Sequence, residues 1–404
     1  MHPNSKYLMP ILLLMVILPM LATDAYLPAI RVMGEGFNVQ DSSITDTLTS
    51  YMLGYSISLL ASGILADIYG RRIISIMGTG IFAISSMGCF FALSIEQLIV
   101  WRFFQALGGG CGTLIARIIV RDIFDTKSQV RVLSYLAAGL VVSPILGPIL
   151  GAYISTYFDW RVIFLALALI SLFILSLLIF CMKDSLPKQD RLKSYQLSSV
   201  LLQYLYLMKH WEFAFHTLVI SFAWAVYFAF LSSSPSLIQN DYEVSSIEYG
   251  YIFSPTISGF ILGAVFVRWK IARLELRRLI FMASVIIFIA CLLLYILVMI
   301  EVRSLPALLA LVFCVLFGVG MIFPTTQAGV TKPFKKNFGQ ISGLFYSAEM
   351  FFGAICGYVL SLSESTTWEM TSLVMLISAT CIFLLAKFDR LYGFYCRGQV
   401  ISRF

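Results

Sequence analysis

The feature that most constrains this chain is a series of long, uninterrupted apolar segments. A helix needs about 20 apolar residues to cross the hydrocarbon layer of a bilayer, and runs of that length recur throughout the 404-residue sequence. In lipid, every backbone polar group must find a partner inside the protein, so only helices and closed barrels can cross. Barrel strands would appear as short segments of alternating polarity. The runs therefore predict an all-α integral membrane protein.

The apolar runs fall into two sets of six, separated by a polar stretch. The sequence predicts two six-helix bundles formed by residues 1–182 and 211–404, the second ending in a short cytoplasmic tail, joined by a cytoplasmic linker at 183–210. The linker begins with a solvated, charged stretch. Apolar residues at helical spacing follow it, which is typical of a surface helix, with a plain connector or a partner-binding helix as alternatives. The twelve predicted spans are residues 8–30, 44–66, 73–94, 96–118, 129–155, 160–182, 211–237, 248–267, 279–300, 305–328, 341–363 and 367–388.

Composition excludes several other classes of protein. Hydrophobic residues make up 60% of the chain and charged residues 12%, which is more apolar surface than a soluble core of this size requires. The net charge of +7 comes from short basic clusters between the apolar runs, so nucleic acid is not an expected partner. The eight cysteines form no CxxC pair and the three histidines have no ligand spacing. We therefore expect no metal, cofactor or enzymatic activity.

Basic residues set the expected orientation, because cytoplasmic loops carry an excess of lysine and arginine. With the N-terminus in the cytoplasm, Arg31, Arg161 and Arg303 lie on the periplasmic side and Arg102 lies within a span. The other 24 of the 28 basic residues are then cytoplasmic. The sequence predicts a multi-pass protein of the inner membrane with both termini in the cytoplasm. Residues 8–30 are interpreted as the first span, since they lack the cleavage pattern of a signal peptide.

Three charged residues stand out inside predicted spans, where charge is costly and usually functional. Asp24 and Arg102 each lie six residues from the outer end of their predicted span, or about 9 Å deep. Opposite charges at equal depth are expected to pair across a cavity and to respond to protonation. The alternative is that Asp24 only caps or pairs and never titrates. Glu349, in the eleventh span, is either functional or a buried, hydrogen-bonded glutamate.

The loop after the second span carries a specific motif. The residues Gly63-Ile-Leu-Ala-Asp67-Ile-Tyr-Gly70-Arg71-Arg72 resemble the loop signature of the major facilitator superfamily. Gly63 and Asp67 share one helix face, and a carboxylate at this boundary suits the positive end of the eleventh helix. Arg71 and Arg72 are candidates to pair with Asp122. We expect this cluster to form a cytoplasmic gate. The alternative is that the arginines serve only to set the topology.

Two further segments resemble signatures of the same superfamily. Arg102-Phe-Phe-Gln105-Ala-Leu-Gly108 is similar to its fourth-helix signature. Small residues and prolines in the fifth span resemble the antiporter signature of the drug–proton group. Glycines at spacing four recur in the eighth span (Gly259, Gly263) and the eleventh (Gly353, Gly357). In the family's fold the fifth helix faces the eighth and the second faces the eleventh, so these stripes are expected where the two halves rock. The antiporter-like residues are Gly139, Ser143, Pro144, Gly147, Pro148 and Gly151.

The sequences at 22–29 and 116–122 resemble the Bcr/CflA drug-resistance subfamily. The resemblance implies that Asp24 is the proton-linked acid and that Arg102 helps to couple it. It implies a proton-coupled antiporter that exports small organic molecules or drugs by alternating access, working as a monomer in the lipid bilayer. The substrate cavity is expected to include Tyr26, Tyr51, Phe345 and Glu349. The C-terminal half carries no sharp motif, so two alternatives stay open: a proton symporter taking up a nutrient or siderophore, and a non-transporting sensor.

Overall fold

The computed structural model describes residues 7–187, 189, 191, 197–271, 273–332, 338–362 and 367–401, and its regular elements in these ranges are helices. Apart from one 3₁₀ turn, Leu27–Ala29, they are α-helices. In chain order they are α1 (Leu8–Asp24), α2 (Ile30–Phe37), α3 (Asp41–Tyr69), α4 (Arg71–Phe90), α5 (Ile95–Ile123), α6 (Thr126–Tyr157), α7 (Arg161–Cys181), α8 (Leu197–Lys209), α9 (Trp211–Gln239), α10 (Ser246–Lys270), α11 (Leu276–Met299), α12 (Leu305–Thr331), α13 (Phe338–Ser361) and α14 (Trp368–Ile401).

The predicted fold class is confirmed. Within the described ranges, eleven helical segments are long and apolar enough to cross a membrane, with α1 and α2 together forming the first. The remaining predicted span corresponds to α6, a helix of 32 residues that packs between α1 and α10. Twelve spanning segments thus form two six-helix bundles, α1–α7 and α9–α14. The exact division of the chain at 182 and 211 stays a prediction.

The first span is not the continuous helix that the sequence predicts at 8–30. Instead α1 ends at Asp24, and the 3₁₀ turn precedes α2, so that the whole segment reaches Phe37. Pro28 lies in the first turn of the 3₁₀ segment, where its missing N–H removes a helical hydrogen bond. The first span therefore has a break in its interior, and Asp24 stands at that break.

The two bundles meet along α3 against α13 and along α6 against α10, as the resemblance implies. A Cβ added at Gly343 would lie 3.0 Å from the carbonyl oxygen of Leu59, and one added at Gly250 would lie 3.2 Å from that of Pro148. Side chains also bridge the bundles: the Ser254 hydroxyl donates to the Ile145 carbonyl over 2.9 Å. The contact between the halves is therefore close on both helix pairs.

The expectation that the glycine stripes lie between the halves is wrong for most of them. A Cβ added at Gly147 would lie 2.7 Å from the Cβ of Asp24, and one at Gly151 would overlap the Ala25 carbonyl, so these glycines face α1. Gly139 also faces α1. Glycine is needed where two backbones come closest, and on α6 that place is the contact with α1 inside the same bundle.

The C-terminal stripes follow the same rule. Added Cβ atoms at Gly259 and Gly263 would overlap the carbonyls of Phe313 and Phe317, so both glycines face α12 within their own bundle. Gly353 faces Trp224, also in the second bundle. Gly357 is the exception, since an added Cβ would meet Thr49 of α3.

The linker forms a helix, α8, at the position where its apolar spacing predicts one. Tyr204 and Leu207 are buried in an apolar cluster with residues of α9, α12 and α13, and Leu60 of α3 packs against this cluster. Leu205 on the same helix is exposed. One face of α8 thus packs beneath the second bundle and the other faces outward.

The close contact of α10 with α12 gives a stability test. Gly263→Ala places a Cβ against the Phe317 backbone and is expected to destabilise the protein by about 1–3 kcal/mol through overpacking. The matched control is Gly80→Ala, because nothing lies within 4 Å of a Cβ at that position. Replacing a helical glycine in open space should stabilise by about 0.5–1 kcal/mol. Thermal unfolding of both purified variants distinguishes the effects, and equal Tm values would contradict the packing described.

Candidate functional site

Asp24 lies at the break of the first span and is held by α6. Its side chain is buried, and its Oδ2 accepts a hydrogen bond from the Ser143 hydroxyl over 2.6 Å. Gly147, one turn further along α6, leaves the space that α1 occupies at this point. The serine and glycine of the antiporter-like segment therefore have a direct structural task, which is to hold the Asp24 carboxyl group.

Asp24 also faces the second bundle. Its charge acts on the phenol groups of Tyr227 on α9 and Tyr249 on α10. The Tyr249 hydroxyl is 2.8 Å from that of Ser234. A carboxyl group of the first bundle thus lies within electrostatic range of two tyrosines of the second.

Arg102 is fully buried between aromatic rings. Its guanidinium carbon is 4.3 Å from the ring centroid of Tyr51 and 4.8 Å from that of Tyr26. Nη1 donates to the Ala22 carbonyl over 3.0 Å and to Oε1 of Gln105 over 2.7 Å. Ring faces carry negative potential and attract cations, most strongly where water is absent. The arginine is therefore stabilised by aromatic rings, one amide and one backbone carbonyl.

The predicted ion pair between Asp24 and Arg102 is wrong for this conformation. Within the described part of the chain, neither residue belongs to an ion pair shorter than 4 Å. Carbonyl groups in the last turn of a helix lack intrahelical partners. Arg102 donates its hydrogen bond to one of these, the carbonyl of Ala22, two residues before Asp24. The predicted depth of Asp24 is also wrong, because the first span runs to Phe37 and does not end at residue 30.

The four residues predicted to line a cavity separate into three places. Tyr26 and Tyr51 come together around Arg102, and their hydroxyls are fixed by Thr47 at 2.6 Å and by the Pro19 carbonyl at 2.8 Å. Phe345 instead lies in the apolar cluster under α8, because it faces α9 and α12 at the end of the bundle that α8 covers. Glu349 is buried on α13 of the second bundle, whereas Asp24 and Arg102 belong to the first.

Sequence reasoning missed the contribution of α9. Every residue from Ala223 to Gln239 is buried, so this helix is surrounded by protein on all sides. Its aromatic residues pack with those of α12 and α10; Trp224, for example, contacts Tyr227 and Phe323. A helix that is apolar all round is buried rather than amphipathic. The four serines at 232–236 could have indicated this burial, because polar side chains inside an apolar span favour contact with protein over contact with lipid.

The loop motif at 63–72 forms the predicted contact through one of its two arginines. Arg71 Nη1 is 2.6 Å from Oδ1 of Asp67, and its Nε is 3.1 Å from Oδ2 of Asp122. The expectation for Arg72 is wrong, because its guanidinium donates to the Ile179 carbonyl instead. Successive helical residues point about 100° apart, so both arginines cannot reach one carboxylate equally.

Asp184 and Arg191 of the linker complete this cluster, and sequence reasoning placed both in a solvated stretch. Asp184 Oδ1 accepts from the Arg71 backbone N–H over 3.0 Å, and Oδ2 pairs with Arg191 at 2.9 Å. A carboxylate is favoured at the N-terminus of a helix such as α4. Gly70 has φ +100° and a Cβ there would overlap Asp184, which explains the motif glycine. The partners of Arg71 lie in the first bundle and the linker, so its role as a cytoplasmic gate stays a prediction.

The different partners of the two arginines give a second test. Arg71→Gln removes a charge that serves two carboxylates and is expected to cost about 1.5–3 kcal/mol, toward the lower end because Asp67 and Asp122 are partly exposed. Arg72→Gln keeps donors for the Ile179 carbonyl and is expected to change stability by less than half as much. Thermal unfolding in detergent compares the two, and a larger effect at residue 72 would contradict the assignment.

Comparison with known proteins identifies the family. The family model described as Major Facilitator Superfamily matches residues 12–358. Multidrug resistance protein D of Escherichia coli is 27% identical over 329 residues, which are 81% of each chain. A bicyclomycin resistance protein homolog of Haemophilus influenzae is 23% identical over 368 residues, which are 91% of each chain.

The fold agrees with solved structures of transporters. The crystal structure of a D-xylose–proton symporter superimposes with a TM-score of 0.72 at 11% identity, covering 94% of this chain and 98% of that one. At this identity the likeness concerns the fold alone. Together with the family match and the drug-resistance relatives, it confirms the resemblance seen in the sequence: this chain belongs to the Major Facilitator Superfamily and is related to its Bcr/CflA drug-resistance transporters.

Proposed function

We propose that this protein exports small organic molecules across the inner membrane in exchange for protons. The observation that carries the proposal is the position of Asp24. It is a buried carboxyl group at a helix break, bound by Ser143 and facing tyrosines of the other bundle. Ion and substrate sites of secondary transporters lie near such breaks, between the halves that move.

The relatives support the direction of transport. Two of them are named for resistance to drugs, and resistance is the expected result of outward transport. The buried aromatic residues of α9 and α10 suit apolar organic molecules, because such pockets combine apolar walls with a few polar groups. We extend this substrate class to the present chain as part of the proposal, together with transport rather than enzymatic catalysis.

Protonation of Asp24 supplies the coupling step. The ionised carboxylate accepts a hydrogen bond from Ser143, whereas the neutral acid can itself donate. The change removes a charge from the boundary with Tyr227 and Tyr249 and so alters the balance between outward-facing and inward-facing states. Arg102 holds the broken end of α1 through the Ala22 carbonyl, which makes it a positioning residue for Asp24.

The proposed orientation places both termini in the cytoplasm. In that topology the cluster around Arg71 and the basic loop before α11 are cytoplasmic, in accord with the distribution of basic residues. Protons then enter from the periplasm and leave to the cytoplasm. Both bundles belong to one chain, so the proposed transporter works as a monomer. Each charge moved across 100 mV supplies about 2.3 kcal/mol.

The test is an efflux panel in an efflux-deficient host, with ethidium, tetraphenylphosphonium and chloramphenicol as probes. Asp24→Asn removes the group that titrates and is expected to lose proton-driven export. In the wild type, one charge moved across 100 mV sustains a probe gradient of up to about 50-fold, which is the largest loss expected. The control is Asp159→Asn, an exposed residue outside the spans whose replacement still offers an oxygen to the Arg161 backbone. Equal proton-driven export by Asp24→Asn and wild type would show that the coupling residue is misassigned.

Direction is measured separately in inverted and right-side-out vesicles. Export predicts proton-driven probe accumulation in inverted vesicles. Accumulation in right-side-out vesicles alone would establish a symporter instead. Absence of transport in both, by folded protein across an extended panel, would support a sensor.

A further inference from the structure

A second buried carboxyl group lies outside the site described above. Glu349, in the middle of α13, is 2% exposed, and its Oε2 has no hydrogen-bond partner in the described part of the chain. An ionised carboxylate in an apolar layer requires a counter-charge or a proton. The surroundings of Glu349 therefore determine what it does.

A cation of the other bundle lies within electrostatic range of Glu349, and in the described part of the chain the two side chains form no ion pair shorter than 4 Å. Arg117, on α5, has its guanidinium carbon 4.3 Å from the ring centroid of Tyr346 on α13, and its charge acts on Glu349. The cation belongs to the first bundle and the carboxyl group to the second. The attraction between them therefore acts across the contact that must open during transport.

This contact joins the middle of α13 to the last turns of α5, whose end is cytoplasmic in the proposed orientation. Arg117 is six residues before the end of α5 and Glu349 is eleven residues after the start of α13, or about 9 Å and 17 Å from those ends. Close by, the Ser56 hydroxyl of α3 is 3.0 Å from that of Ser347 and donates to the Ser347 carbonyl over 2.8 Å. The bundles are thus closed at this level.

The other groups around Glu349 do not replace Arg117. Tyr55 of α3 has its hydroxyl 2.6 Å from that of Thr113, and Tyr346 lies under the guanidinium. Both phenols are neutral near pH 7. Arg121, one turn further along α5, acts on Tyr346. From α9, the residues that face α13 include Trp224 and Phe228, neither of which titrates.

We propose that Glu349 is a second proton-binding group, and that its attraction to Arg117 keeps the cytoplasmic side closed until Glu349 is protonated. The ionised carboxylate attracts the guanidinium and holds α13 against α5. Protonation removes that attraction and leaves Arg117 without a counter-charge, so the cytoplasmic side opens and both groups become hydrated. The inference rests on the proposed function for alternating access, and it places Glu349 on the path by which protons leave.

The test measures cytoplasmic closure directly and needs no substrate. The variant Ser56→Cys/Ser347→Cys places two thiols across the bundles, at a separation suited to a disulfide. A protease site in the linker reveals the cross-link, because cleaved but linked bundles migrate together. Ser58→Cys is the matched control, since its side chain lies 3.3 Å from the native Cys111 within the first bundle. Its oxidation, followed by mass spectrometry, reports how thiol chemistry alone depends on pH.

Measurements on the full-length protein in nanodiscs use the Asp24→Asn background, so that Asp24 cannot contribute. The cross-link yield, normalised to the control, is expected to fall at least about threefold between pH 8 and pH 5.5. Adding Glu349→Gln or Arg117→Gln should give a low yield that does not change with pH. Glu349→Asp should keep the dependence, and Glu96→Gln, on the exposed opposite end of α5, should leave it unaltered.

Two outcomes overturn the inference: a yield in Asp24→Asn that does not vary with pH, or an unchanged pH dependence after Glu349→Gln is added. Each variant is first required to elute as a single symmetric species on size exclusion. Failure of the proposed function appears elsewhere, as proton-driven export that survives Asp24→Asn. The two hypotheses can therefore fail independently.

Discussion

The absence of water in the bilayer core is the constraint on which this structure depends. A backbone carbonyl freed by a helix break and a guanidinium inside a span would each be costly alone. Here each supplies the partner that the other lacks: Arg102 donates to the Ala22 carbonyl at the end of α1. The rings of Tyr26 and Tyr51 stabilise the remaining charge. The break that presents Asp24 to α6 and the second bundle is thus stabilised by the buried arginine.

The contacts within each bundle differ from the contacts between the bundles in how readily they can open. Inside each bundle, glycines bring backbones together, with Gly151 of α6 against α1 and Gly263 of α10 against α12. Between the bundles, the backbones approach less closely at Gly343 and Gly250, and single polar contacts join them, such as Ser56 with Ser347 and Tyr153 with Tyr251. Interdigitated backbones resist separation, whereas isolated hydrogen bonds are exchanged for water at little net cost. Each bundle, with its closely packed helices, is therefore suited to move as a rigid body.

How much of this was accessible from sequence depends on the range of each interaction. Long apolar runs identify the spans, because span length is set by the bilayer, and the loop motif predicts the pairing of Arg71 with Asp122. The break at Asp24 was missed because apolar residues continue through it, although Pro28 marks the place. The ion pair of Asp24 with Arg102 was wrongly predicted because depth alone does not reveal a competing carbonyl. The role of Asp184 in capping α4 depends on a contact between residues distant in sequence, which no local pattern reports.

The charge clusters around Arg71 and Arg117 have different physical consequences. Arg71 pairs with Asp67 and Asp122, both in the first bundle, and its backbone N–H binds Asp184 in the linker. These contacts can persist in both states of a rocking transporter, so they stabilise one bundle and fix the start of the linker. In the proposed cycle the attraction of Arg117 for Glu349 is lost when the bundles separate at this level, because the two residues belong to different bundles. An interaction between the two bundles is a suitable place for a proton to act, since protonation of the buried carboxyl group removes the attraction that holds the bundles together.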